Sequence, residues 1–150
     1  MHFHHEDLPT RVGVIISRPV DGENQLLLKT DELEIWNIPE DVIKVNEAPE
    51  NTLQRILKEL VISEEYGKTK FEMVGDMKAW PVNTQNTALY RLYVVNTCSP
   101  IATFNNPRLG WFGNRKLKNT GVKIASIVPP LTTKCLWAPR VATNGNPYFL

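Results

Sequence analysis

Residues 36–67 read WNIPEDVIKVNEAPENTLQRILKELVISEEYG, and the spacing of the apolar residues in the second half of this stretch decides the fold. Leu53, Ile56, Leu57, Leu60 and Val61 fall at i, i+3, i+4, i+7 and i+8, the one-face pattern of an amphipathic helix. Pro49 suits the first turn, where a missing N–H costs nothing, and Gly67 suits a C-terminal stop. The spacing therefore predicts a helix over about residues 48–66. Just upstream, Trp36-Asn37-Ile38-Pro39 reads as a polar loop whose tryptophan packs rather than reacts.

Working outward, residues 11–19 and 24–30 are β-type runs on either side of Asp21-Gly22, a strong turn signal, and so predict a hairpin. The first alternates Val12, Val14 and Ile16 against Gly13, Ile15 and Ser17, while the second carries the unbroken run Leu26-Leu27-Leu28. After the helix, residues 71–81 and 87–97 predict two further strands joined by a turn at 83–86. A short strand follows over 109–113, and a closing helix over 125–137 has Pro129-Pro130 near its first turn and Pro139 beyond its end. The expected organisation is an extension over residues 1–10, one domain over 11–140 and an irregular tail over 141–150.

With 150 residues, 42% of them hydrophobic and 22% charged, the composition is that of an ordinary soluble domain and not of a disordered chain. No apolar stretch approaches the roughly 18 residues of a membrane span, and the N-terminus lacks the basic-then-apolar order of a signal peptide. A cytoplasmic protein without membrane contact is expected. Cys98 and Cys135 are too few for a disulfide framework and lack C-x-x-C spacing, so both are expected as reduced thiols. All sixteen acidic residues lie between Glu6 and Asp76, against eight basic ones, a balance of −8. Residues 77–150 hold nine cations and no acid, a balance of +9. Two readings stay open: a basic face for an anionic partner, RNA among the possibilities, or neutralisation of one half by the other within the fold.

The segment Trp36-Asn37-Ile38-Pro39-Glu40-Asp41, followed by Glu47, Arg55 and Glu59, resembles the Nudix box, G-x(5)-E-x(7)-R-E-U-x-E-E-x-G-U, where U is a bulky aliphatic residue. With the first Glu of the motif on Glu47, its Arg falls on Arg55, its aliphatic residue on Leu57 and the first Glu of its pair on Glu59. The order of strands and helices around the box is similar too, over roughly residues 11–137. The resemblance implies an α/β fold, a Nudix-like α/β/α sandwich around a mixed β-sheet.

Four positions depart: Asp41 stands for a Gly, Ile56 for the Glu after Arg, Leu60 for the second Glu of the pair and Ile62 for the later Gly. At about 100° per residue, positions 56, 59 and 60 share one helix face, where an intact box gathers three carboxylates for divalent metal. Here that face reads Ile56, Glu59, Leu60. Of the candidate catalytic residues that the resemblance implies, Glu47, Arg55 and Glu59, only Glu59 is a metal ligand, so Mg²⁺ or Mn²⁺ is expected to bind weakly. Glu47 and Arg55 are expected to hold the loop against the helix. Glu64-Glu65-Tyr66-Gly67 spells the end of the box five residues too late, and on a continuing helix these carboxylates would point away from Glu59. Glu40 and Asp41 are expected as solvated loop acids.

Three functions follow. The favoured one is a protein that binds a nucleotide or other phosphorylated small molecule, with metal-dependent diphosphate hydrolysis weak or lost. The others are an active hydrolase of a nucleoside diphosphate linked to another moiety, and a protein-interaction module using the aliphatic face of Ile56 and Leu60. Trp80, Trp111, Tyr90 and Tyr93 can stack on a nucleobase or serve the core. His2, His4 and His5 have metal-ligating chemistry but are accounted for more simply as a terminus outside the fold.

Overall fold

The computed structural model describes residues 8–96, 101, 106–119 and 121–131. The chain opens with β1 (Arg11–Ile15), β2 (Ser17–Val20) and β3 (Glu23–Thr30), followed by the short β4 (Ile35–Asn37) and β5 (Glu40–Val42). Helix α1 (Pro49–Leu60) and a 3-10 turn (Ser63–Lys68) come next, then the long pair β6 (Lys70–Ala79) and β7 (Ala88–Asn96). Strand β8 (Leu109–Phe112), the one-turn helix α2 (Asn114–Leu117) and β9 (Lys123–Ile124) follow. One sheet has the order β5-β1-β7-β6, parallel at β1–β7 and antiparallel elsewhere. The other runs β2-β3-β4-β9, parallel at β4–β9, with β8 paired along β3. The class is α/β with mixed sheets, as predicted.

The first predicted strand divides. Its two parts join different sheets, and the change falls at Ile16, whose carbonyl still accepts from the Leu27 N–H at 2.8 Å. Side-chain alternation survives the switch: Val12, Val14 and Ile16 enter the core beneath α1, while Ile15 enters the core on the opposite side. Asp21 (φ 52°) and Gly22 (φ 80°) are both left-handed, the geometry that a two-residue hairpin turn requires. The run Leu26-Leu27-Leu28 is continuous because β3 is buried on both faces. Leu27 joins the core under α1, and Leu26 and Leu28 join the other, which Ile127, Val128 and Leu131 close from the far side.

Helix α1 buries Thr52, Leu53, Ile56, Leu57 and Leu60, the face that periodicity picks out. It stops at Leu60, short of residue 66. The β-branched side chains of Val61 and Ile62 favour extended backbone, and Val61 turns to φ −98°, ψ 143°, is buried and bridges Ile101. Tyr66 folds back and donates its hydroxyl to the Gln54 carbonyl at 3.3 Å.

Two other expectations are corrected. Trp36 and Asn37 lie in a strand and not in a loop: they pair with Thr30 and Lys29 of β3, and the Trp36 ring packs 4.8 Å from that of Phe112. Pairing on both edges of β4 overrides the loop signal from Asn37 and Pro39. The closing helix begins at residue 128, not 125. Its continuation to residue 137 lies outside the described residues, as do His2, His4, His5, Cys98, Cys135 and the tail at 141–150. Among the described residues, no helix is long and apolar enough to cross a membrane.

Candidate functional site

The site is built where β5, the loop after it and α1 meet. The loop closes through the Glu47 N–H and the Lys44 carbonyl at 3.0 Å, with Asn46 left-handed at φ 63°, a conformation that asparagine tolerates better than most residues. This turn lays the Glu47 carboxylate over the first turns of α1. One of its oxygens accepts from the Lys44 N–H (2.9 Å), the Thr52 hydroxyl (2.8 Å) and Arg55 Nη2 (2.9 Å), and the other accepts from Arg55 Nε at 2.9 Å. Arg55 also donates to Asp41 at 2.7 Å and to the Val42 carbonyl at 3.0 Å. A single guanidinium thus fastens strand, loop and helix together. Its hydrogen bonds, helped by the Lys44 amide, hold the Glu47 carboxyl well below the usual carboxylate range. The same carboxylates, Glu47 first and Asp41 second, raise Arg55.

Glu40 and Asp41 are not loop acids, although the Asp41 side chain stays half exposed. Both lie in β5, and each has its own arginine: Arg11 grips Glu40 with two hydrogen bonds, at 2.6 and 3.1 Å, as Arg55 grips Asp41.

One residue beyond Arg55 the chemistry changes. Ile56, Glu59 and Leu60 share a cavity of about 200 Å³ with Lys29, Pro39, Glu40 and Asp41. Ile56 and Leu60 are only 7% and 2% exposed, so they belong to the core and offer no docking face, which removes the basis of the interaction-module expectation. Glu59 reaches outward, and its carboxylate lies 3.7 Å from the Lys29 ammonium. Sequence reasoning passed over Lys29, although the signal was present. Side chains alternate along a strand, so a residue two positions beyond Leu27 in β3 points to the same side as Leu27, toward α1. Glu64 and Glu65 sit in the 3-10 turn and not on a continuing helix, and Glu65 pairs with Lys68 at 3.0 Å.

A magnesium-like ion takes about six oxygens in near-octahedral array. The helix face supplies one carboxylate, already facing an ammonium, between two aliphatic side chains. Among the described residues, no group of three or more His, Cys, Asp or Glu side chains is placed to hold a metal. The residues present do not fit the ion that the resemblance implies.

A second cavity, about 140 Å³, adjoins the first through the shared residues Lys29 and Glu40 and is also lined by Thr30, Asn37, Ile38 and Val82. Of the aromatic candidates, Tyr90 and Tyr93 are buried. Trp111 lies under the Arg18 guanidinium, 4.3 Å from its ring centre, while Trp80 is exposed two residues from Val82. Of the cations in the acid-free stretch, Arg91 is bound bidentately by Asp76, at 2.8 and 3.0 Å. Lys134 and Arg140 lie outside the described residues.

No protein-family model and no curated protein sequence matches the chain. Solved structures do. The NUDIX domain of Shewanella oneidensis NrtR, complexed with ADP ribose, is 14% identical with a TM-score of 0.50 over 80% of each chain. Another structure of S. oneidensis NrtR is 15% identical with a TM-score of 0.55, over 73% of this chain and 54% of that one, so the present chain spans about half its length. The Ap4A hydrolase of C. elegans is 12% identical with a TM-score of 0.52, over 71% of this chain and 81% of the hydrolase. At these identities the likeness concerns the fold, and a fold does not fix an activity. The likeness to these neighbours shows that the chain has the Nudix fold.

Proposed function

We propose that this protein binds a nucleotide or other phosphorylated small molecule in the cleft between β3, β5 and α1, and that metal-dependent diphosphate hydrolysis is weak or lost. The observation that carries this reading is the helix face Ile56-Glu59-Leu60, where a single carboxylate faces a lysine instead of joining two more. The ADP ribose held by one neighbour of the same fold supports a nucleotide-type ligand. The two cavities, which share Lys29 and Glu40, would take the phosphates at Lys29 and the remainder of the ligand on the Val82 side. Glu47 and Arg55 take a positioning role, shaping the cleft wall.

A second reading, an active hydrolase, draws on the three carboxylates Glu40, Asp41 and Glu59 around one cavity and on the Ap4A hydrolase among the neighbours. It is disfavoured because each carboxylate already faces a cation. The test is a thermal-shift panel of ADP-ribose, ADP and diadenosine polyphosphates, with phosphate release followed in excess Mg²⁺. The expected result is stabilisation by at least one ligand, with turnover at least about a thousandfold below the ordinary enzymatic ~10 s⁻¹. Ordinary turnover would establish the hydrolase instead.

A further inference from the structure

We infer that Lys29 takes the part that a divalent ion would play on a three-carboxylate face: its ammonium is a built-in, exchangeable cation that meets the phosphates of the ligand, so binding needs no metal. This rests on the reading of the cleft as a phosphorylated-ligand site.

Lys29 lines the larger cavity, while Arg11 and Arg55 hold two of its lining carboxylates, Glu40 and Asp41, and the three cations are held very differently. Arg11 makes two hydrogen bonds to Glu40, at 2.6 and 3.1 Å. Arg55 is held by Glu47, Asp41 and the Val42 carbonyl together. For either to turn toward a ligand, it would have to abandon carboxylates that would then lie unpaired in a half-closed site. Lys29 is different. Its ammonium pairs with Glu59 at 3.7 Å, beyond hydrogen-bond distance, and the side chains of the pair are 46% and 72% exposed. An ion pair this open is weak and readily exchanged. Lys29 is also the cation among the lining residues of both cavities.

The chemistry of the ammonium fits the task. Lysine presents a compact point charge with three donors on a flexible stem, able to follow a phosphate oxygen without fixed geometry. Glu59 is then the competitor of the ligand and not its metal bridge. Removing the carboxylate should strengthen anion binding, the reverse of what a metal ligand would do.

Calorimetry with inorganic pyrophosphate and with ADP-ribose, each in EDTA and in excess Mg²⁺, tests this on the wild type, Lys29→Met, Lys29→Arg and Glu59→Gln. Matching melting curves establish that each variant is folded. The expected wild-type affinity is the same with and without Mg²⁺ to within about twofold. Lys29→Met should weaken it about tenfold or more, Lys29→Arg should stay within roughly threefold, and Glu59→Gln should tighten it about threefold. Binding that EDTA abolishes and Glu59→Gln weakens would overturn the role of Lys29 and leave the cleft a nucleotide site. So would a Lys29→Met protein that binds like wild type. If neither compound binds the wild type, the cleft reading itself fails and the lysine role with it.

Discussion

Arg55 and Ile56 are adjacent on one helix, yet they belong to two regions with opposite fates. On the loop side, Glu47, Arg55, Asp41, Thr52 and the Lys44 amide form a fully connected network with hydrogen bonds of 2.7–3.0 Å. On the cavity side, the positions that would gather metal carry two core aliphatics and one carboxylate paired loosely with Lys29. The network holds a loop on a helix and serves the fold, while a carboxylate face serves a metal. The first can persist without the second because charged, geometrically specific networks are costly to lose one member at a time. Single exposed carboxylates are not.

The strongest way to break the comparison is to rebuild the cavity side. Ile56→Glu with Leu60→Glu restores three carboxylates to one face. Because both native side chains are buried, the double variant should lose at least about 4 kcal/mol of stability in metal-free buffer. Excess Mg²⁺ should recover part of that loss, because an ion that binds only the folded state stabilises it. Little or no turnover should appear, since residues 77–150 supply no acid to act as base. A folded double variant that gains no Mg²⁺ affinity would mean that positions 56, 59 and 60 do not form the expected face.

A smaller effect sharpens the other side. Arg55→Ala should lower the melting temperature by about 3–6 °C near neutral pH. The pH dependence follows from Glu47, whose folded-state pKa is held below its ordinary value of 4.5. The unfolded chain therefore binds a proton before the folded one does. The contribution of the clamp is fully present above pH 4.5 and drains away as pH falls below it toward the folded-state value. The gap in melting temperature between wild type and Arg55→Ala should accordingly narrow in acid. A gap that stays constant from neutral pH into that range would show that the Glu47 charge does not support the clamp.

How much of this was legible in the sequence depends on the range of the interaction. The α1 face, the Asp21-Gly22 turn and the two long strands are local patterns, and each appears in the structure, although α1 stops six residues short of its expected end. The division at Ile16 and the strand character of Trp36 are tertiary outcomes, because residues 11–19 carry one uninterrupted β signal whichever sheet they join. In the candidate site, the register of Glu47, Arg55 and Glu59 was readable from spacing alone. The arginine partners of Glu40 and Asp41 were not, because Arg11 lies 29 residues from Glu40 and Arg55 14 from Asp41. Lys29 stood between the two cases: alternation assigns its side of the strand, but only the packing of β3 beside α1 turns that side into a site.

We propose that the helix face Ile56-Glu59-Leu60 holds no divalent metal tightly, while Glu47 and Arg55 hold the loop to the helix. Calorimetric titration of Mg²⁺ and Mn²⁺ into the wild-type protein and Glu59→Gln tests it most directly. Weak, non-saturating heats that the substitution leaves unchanged are expected. Tight one-to-one binding that Glu59→Gln abolishes would contradict it.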